Sequence, residues 1–149
     1  MRVIEFNARF GDPETQVLLQ RLESPLGVLL LAAATGRLDE VDRPRWRGGA
    51  AVTVVVAAQG YPESPRKGDP VTGIEEADAL EGVDVIHAGT ARNDDALVTN
   101  GGRVLAVTAV GADVADARER AYAGVDLIHI DGAHHRTDIA AAVVEEGTK

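Results

Sequence analysis

The sequence predicts an α+β chain in two unequal parts: a strand and two helices over residues 1–44, then a small antiparallel sheet with helices over residues 45–149. Three observations predict it. Apolar and polar residues alternate from Ile4 to Arg9, the period of a strand with one dry face. Leu26, Leu29, Leu30 and Ala33 recur at helical spacing. Beyond residue 50, β-branched apolar runs are separated by short turn-rich stretches.

The first strand, expected over residues 2–9, would place Glu5, Asn7 and Arg9 on one face and Ile4, Phe6 and Ala8 on the other. A carboxylate and an amide oxygen two residues apart are hard donors, which suit Mg2+ better than zinc. Gly11 then permits a tight turn, and helix-start signals follow in order: Asp12 as N-cap, Pro13 as first helical residue and Glu14 in the first turn. A helix is expected from Pro13 to about Arg21, burying Val17 and Leu18. Ser24 and Pro25 repeat the start signal for a second helix that should stop at Gly36. Both helices should pack on the dry face of the first strand.

From Asp39 to Gly49 the pattern breaks into charge, Pro44, Trp46 and two glycines, which reads as a linker with a boundary near Arg45. The run AAVTVVVAA at 50–58 should be a buried strand, followed by a Gly/Pro-rich loop to Pro70. A short strand is expected at Val71–Gly73, a helical turn at Glu75–Leu80, a buried strand at Val83–Ala88 and a polar excursion through ARNDD. Ala96–Thr99 and Arg103–Val110 should form a hairpin across Asn100-Gly101-Gly102, with Asn-Gly supplying positive backbone angles. Asp113 should cap a helix carrying the stripe Val114, Ala117, Ala121, Val125 and Ile128. A strand at Ile128–Ile130 and a last helix at Asp138–Glu146 complete the expected order, with no repeat or low-complexity tract.

Composition narrows the function. The 149 residues suffice for one ordinary domain, or a small domain plus part of another. With 24 acids against 15 bases the net charge is -9, which disfavours nucleic acid and anionic membranes as partners. Just two of those bases are lysine, a pattern that fits adaptation to high salt as well as an ordinary acidic surface. Absence of cysteine excludes disulfides and thiolate metal sites and fits a reducing cytosol. No apolar run approaches the roughly 20 residues of a membrane helix, and the charged start lacks a secretory signal, so a soluble cytoplasmic protein is expected. Ser24 and Ser64 are the sole serines, and neither lies in a nucleophile elbow.

The run EFNARFGDPETQ at 5–16 resembles the signature of the phosphoribosylamine-glycine ligases, ATP-grasp enzymes of purine synthesis. The resemblance continues through GYP at 60–62, HAGT at 87–90, TNGGRVLAVTAVG at 99–111 and AYAGVDLIHIDGAHHRTDI at 121–139. It covers nearly the whole chain but just the family's carboxy-terminal part. It implies that residues 1–44 end an ATP-grasp lobe and that residues 45–149 are the family's carboxy-terminal domain. It also implies Mg2+ or Mn2+ held by Glu5 and Asn7, and Arg9 near the transferring phosphate. On the same resemblance Asp12, Glu14 and Arg103 are candidates on the substrate side. The implied ligands are ATP, glycine and 5-phosphoribosylamine, joined through a glycyl phosphate. The glycine-rich loop and the ATP-binding lobes of the family are not among these residues, so the chain alone should be inactive and should need a separately encoded amino-terminal half.

Plainer readings stand beside these. Glu5 and Asn7 could be a solvated strand face, Arg9 a surface base paired with Asp12 or Glu14, and those two acids a cap and a dipole partner. His87 reads as a core or interface histidine. His129, Asp131, His134 and His135 invite a metal by residue type, yet their spacing puts no defined ligand pair on one face. The contrasting function classes are a non-catalytic binding or assembly module and, more remotely, a metal-dependent hydrolase built on these histidines.

Overall fold

The structure, a computed structural model, describes Val3, Phe6 and residues 8–147. The elements are α1 (Glu14–Arg21), α2 (Leu26–Ala34), β1 (Ala50–Ala57), α3 (Ile74–Asp78), β2 (Val83–His87), β3 (Thr90–Asn93), β4 (Ala96–Thr99), β5 (Arg103–Gly111), α4 (Val114–Leu127) and α5 (Ala141–Gly147). This is a mixed chain with small antiparallel sheets, as expected from its sequence.

A three-stranded sheet in the order β1-β5-β2 forms the centre, and both of its pairings are antiparallel. The middle strand β5 is covered on both faces, which explains its unbroken apolar run: Val104 to Ala109 are all buried. On one face α4 packs through Ala117, Ala121 and Val125, and Gly124 lets it approach until a Cβ there would press on Val107 and Val83. The other face carries α1 and a Thr53–Thr108 hydroxyl pair 2.8 Å apart, with Thr108 buried and Thr53 half-buried. The expected cap of α4 is present, with Asp113 Oδ1 accepting from the Asp116 amide at 2.9 Å.

The expected hairpin at Asn100-Gly101-Gly102 is overturned. β4 pairs with β3 in a separate two-stranded sheet, while β5 pairs with β1 and β2. Thus β2 and β3 run along one arm, β4 and β5 along the other, in one long bent hairpin whose tip is Asp94-Asp95. The positive φ needed at that tip belongs to Asp94, at 50°. Gly101 and Gly102 show no positive φ; they are small because other chain segments pass close, Gly89 against the first and the Tyr61 ring against the second. The segment read as a polar excursion is therefore β3 and its turn.

Other expectations are corrected at their ends. Pro13, not Asp12, stands at the N-cap of α1, and no side chain caps that helix. The run Val17-Leu18-Leu19 sweeps about 200° of a helix surface, so one face cannot bury it all. Val17 is half-buried, whereas Leu18 and Leu19 are exposed. Ser24 caps nothing; its Oγ accepts from the Arg45 amide at 2.8 Å. The expected strands at Val71–Gly73 and Ile128–Ile130 reduce to an isolated bridge between Thr72 and His129. Of the strand expected at 2–9, Val3, Phe6, Ala8 and Arg9 are described and none is in a strand; the remainder, Glu5 and Asn7 included, lies outside the described residues.

The expected packing of the helix pair on a first strand falls largely outside the described residues; among those described, α1 lies on β1 and β5, and α2 lies on a 3-10 turn at Leu38–Glu40. Residues 45–47 are stitched back to the end of α1, through Glu23 N to Arg45 O, Arg47 N to Arg21 O and the Arg21 guanidinium to Arg47 O. Among the described residues no helix is long and apolar enough to cross a membrane.

Candidate functional site

The segment before α1 meets the central sheet at the corner where the long hairpin bends. Gly11 is buried, its carbonyl accepts from the Thr15 amide at 2.9 Å, and the Glu14 side chain folds across it. Asp12 Oδ1 accepts from Gln16 Nε2 at 3.1 Å. Arg103, the first residue of β5, reaches Asp12 with both arms: Nη2 stands 3.2 Å from Oδ2, and Nη1 donates to the Asp12 carbonyl at 3.2 Å. Two sequence-predicted residues 91 positions apart, Asp12 and Arg103, therefore meet, with Glu14 over the adjoining Gly11. Arg9 is exposed two residues upstream, with Nη1 donating to the Phe10 carbonyl at 3.1 Å rather than to Asp12 or Glu14. Glu5 and Asn7 precede this corner in sequence and are not described.

The corner itself is built by backbone. Asn100 N donates to Gly89 O at 2.7 Å, Gly89 N to Arg103 O at 2.8 Å and Ala58 N to Gly102 O at 2.8 Å. This brings the HAGT and TNGGR motifs into one crossing. Beside it, α1 and β2 bound a cleft of about 480 Å3 lined by Phe10, Asp12, Gln16, Leu19 and Ile86. Gln16 Oε1 is buried with no hydrogen-bond partner.

The remaining candidates separate from this corner. His87 is not a core residue: it is exposed at the end of β2, with Nδ1 3.1 Å from Thr90 Oγ1. His129 and His134 contribute backbone bridges to Thr72 and Ala57. Asp131 is paired with Arg66, at 2.6 Å. Among the described residues no group of three or more His, Asp or Glu is placed to hold a metal. Arg66, which sequence reasoning left unremarked, ties Asp69 at 2.7 Å and Asp131 together, and these hydrogen bonds hold its guanidinium above the usual arginine range. Nothing local signals that tie, because Asp131 is 65 residues away.

Residues 51–142 match the family model for the C domain of phosphoribosylglycinamide synthetase. The chain belongs to this family. Among its relatives, the phosphoribosylamine--glycine ligase of Streptomyces coelicolor is 59% identical over 95% of this chain and 34% of its own length. That of Leifsonia xyli is 57% identical over 95% of this chain and 34% of its own length. A crystal structure of phosphoribosylamine--glycine ligase from Thermotoga maritima superposes with a TM-score of 0.77 at 38% identity, covering 93% of this chain and 33% of that one. The chain thus spans about a third of the length of these family members.

Exposed apolar side chains cluster outside the family-model region. Phe6, Phe10, Leu18, Leu19, Val28, Leu30, Leu31, Leu38 and Trp46 are all exposed, Leu31 by 66%, whereas among the described residues beyond 50 the one large apolar side chain so exposed is Val143. The core of β1, β5 and α4 is closed; the surface between Phe10 and Trp46 is open.

Proposed function

We propose that this chain is the carboxy-terminal part of a phosphoribosylamine-glycine ligase, an ADP-forming enzyme that joins glycine to 5-phosphoribosylamine through a glycyl phosphate in de novo purine (IMP) synthesis. The observation that carries the reading is identity of 55% or more to ligases over about 95% of the chain, a span too long to be confined to the C domain at residues 51–142. Residues 1–44 are then the end of an ATP-grasp lobe and residues 45–149 the carboxy-terminal domain, in a cytoplasmic enzyme.

In this reading Glu5 and Asn7 hold Mg2+ or Mn2+. Their donor set, one carboxylate and one amide oxygen, fits a hard cation that keeps water and phosphate as its other ligands. When bound, the metal neutralises charge on the ATP phosphates. Arg9 supplies planar donors toward the transferring phosphoryl group. Asp12, Glu14 and Arg103 border the same segment on the substrate side.

The chain alone is inactive in this proposal, because phosphoryl transfer depends on positioning all groups at once. The open apolar surface between Phe10 and Trp46 favours assembly with the remaining two thirds of a ligase chain. The test mixes this chain with the amino-terminal two thirds of the Streptomyces coelicolor ligase and follows ADP release. Turnover requiring both pieces, glycine and phosphoribosylamine is expected. Tight assembly without turnover would favour a non-catalytic module, and turnover by the chain alone would overturn the division of labour.

A further inference from the structure

We propose that Arg103 is a positioning residue: it straps the Phe10–Pro13 turn, and with it the segment that holds Ala8 and Arg9, to the corner of the central sheet. The proposal rests on the ligase reading for the function of that segment but not for the strap itself.

Arg103 is placed for the task by its own strand. Its carbonyl is fixed by the Gly89 amide, and its neighbour Val104 is fully buried. The guanidinium spends two nitrogens on one residue, a carboxylate oxygen and the carbonyl of Asp12, so it locates backbone as well as charge. Asp12 is held from the other side by Gln16 of α1. Asp12 is therefore the joint between β5, α1 and the upstream segment, and the Arg103 guanidinium is occupied by it rather than held open for a ligand.

Two readouts test this. Trypsin cutting at the exposed Arg9–Phe10 bond is timed in the 149-residue chain and normalised to cutting at Arg92–Asn93, within β3. An exposed bidentate pair of this kind predicts a rise of roughly two- to five-fold in Arg103→Met and in Asp12→Asn. The double variant should rise no further, and the reversed pair Asp12→Arg/Arg103→Asp should recover part of the protection. No change at Arg9–Phe10, or an equal rise at both bonds, would overturn the strap. In the assembled enzyme, Arg103→Met should lower kcat while leaving KM for phosphoribosylamine in place. A raised KM at unchanged kcat would instead make Arg103 a substrate contact and overturn the proposal. If the assembled enzyme has no activity the ligase reading fails, and the trypsin comparison still decides the strap.

Discussion

Gly89 and Gly101 cross so closely that Gly89 has no room for a side chain: a Cβ on Gly89 would stand 2.7 Å from the Gly101 Cα and 2.6 Å from the Arg103 carbonyl oxygen. All the obstructing atoms are backbone, so relief requires moving strands. Gly89→Ala is expected to destabilise the chain by about 1–3 kcal/mol. Gly101→Ala, whose nearest obstruction is at 3.0 Å, should cost less. Urea midpoints of the two variants check the order.

Gly27 gives the opposite sign. It lies exposed in α2, and a Cβ there would meet nothing within 4 Å. Gly27→Ala should therefore stabilise by about 0.5–1 kcal/mol through helix propensity. Thermal denaturation followed by circular dichroism would reveal a raised midpoint.

The apolar surface of α2 should make the isolated chain associate with itself. Val28 and Leu31 lie one turn apart and are 53% and 66% exposed. Light scattering is expected to show mass rising with protein concentration. Leu31→Gln should reduce that rise without lowering the unfolding midpoint.

Glu5→Gln and Asn7→Ala, made in the assembled ligase, should each lower kcat by roughly 10²-fold or more if these oxygens hold the nucleotide's metal. The unfolding midpoint of the chain should not fall. Steady-state kinetics at several Mn2+ concentrations, beside a melting curve, separates a metal role from a folding role.

Asp116 links stability to acid. The Ala112 amide, and then Arg120, hold its carboxyl below the ordinary value of 3.8. A depressed carboxylate contributes stability that is fully present above the unfolded value and is lost as pH falls through the folded one. Denaturant midpoints should therefore decline as pH drops below about 4. Asp116→Asn should make that decline shallower, and an unchanged slope would show that Asp116 does not contribute.

Sequence periodicity was enough for β1, β2, β5 and α4, because each buries a face whose pattern is written in consecutive residues. The Asp113 cap was legible for the same reason: donor and acceptor lie three residues apart. Motif resemblance likewise pointed to Asp12, Glu14 and Arg103, though not to the contact between them.

What the sequence by itself determined was therefore local or inherited: an α+β chain, its main strands, its long capped helix and its family. Tertiary structure alone decided which turn closes the hairpin, since Asn-Gly-Gly is equally suited to a tight turn and to a close crossing, and just the position of Gly89 distinguishes them. It also decided that Asp12 meets Arg103, 91 residues away, instead of capping α1. Pairings over such distances depend on where strands are delivered in space, and no short-range pattern encodes that. The open face between Phe10 and Trp46 belongs with them, because an apolar helix reads the same in sequence whether or not something covers it.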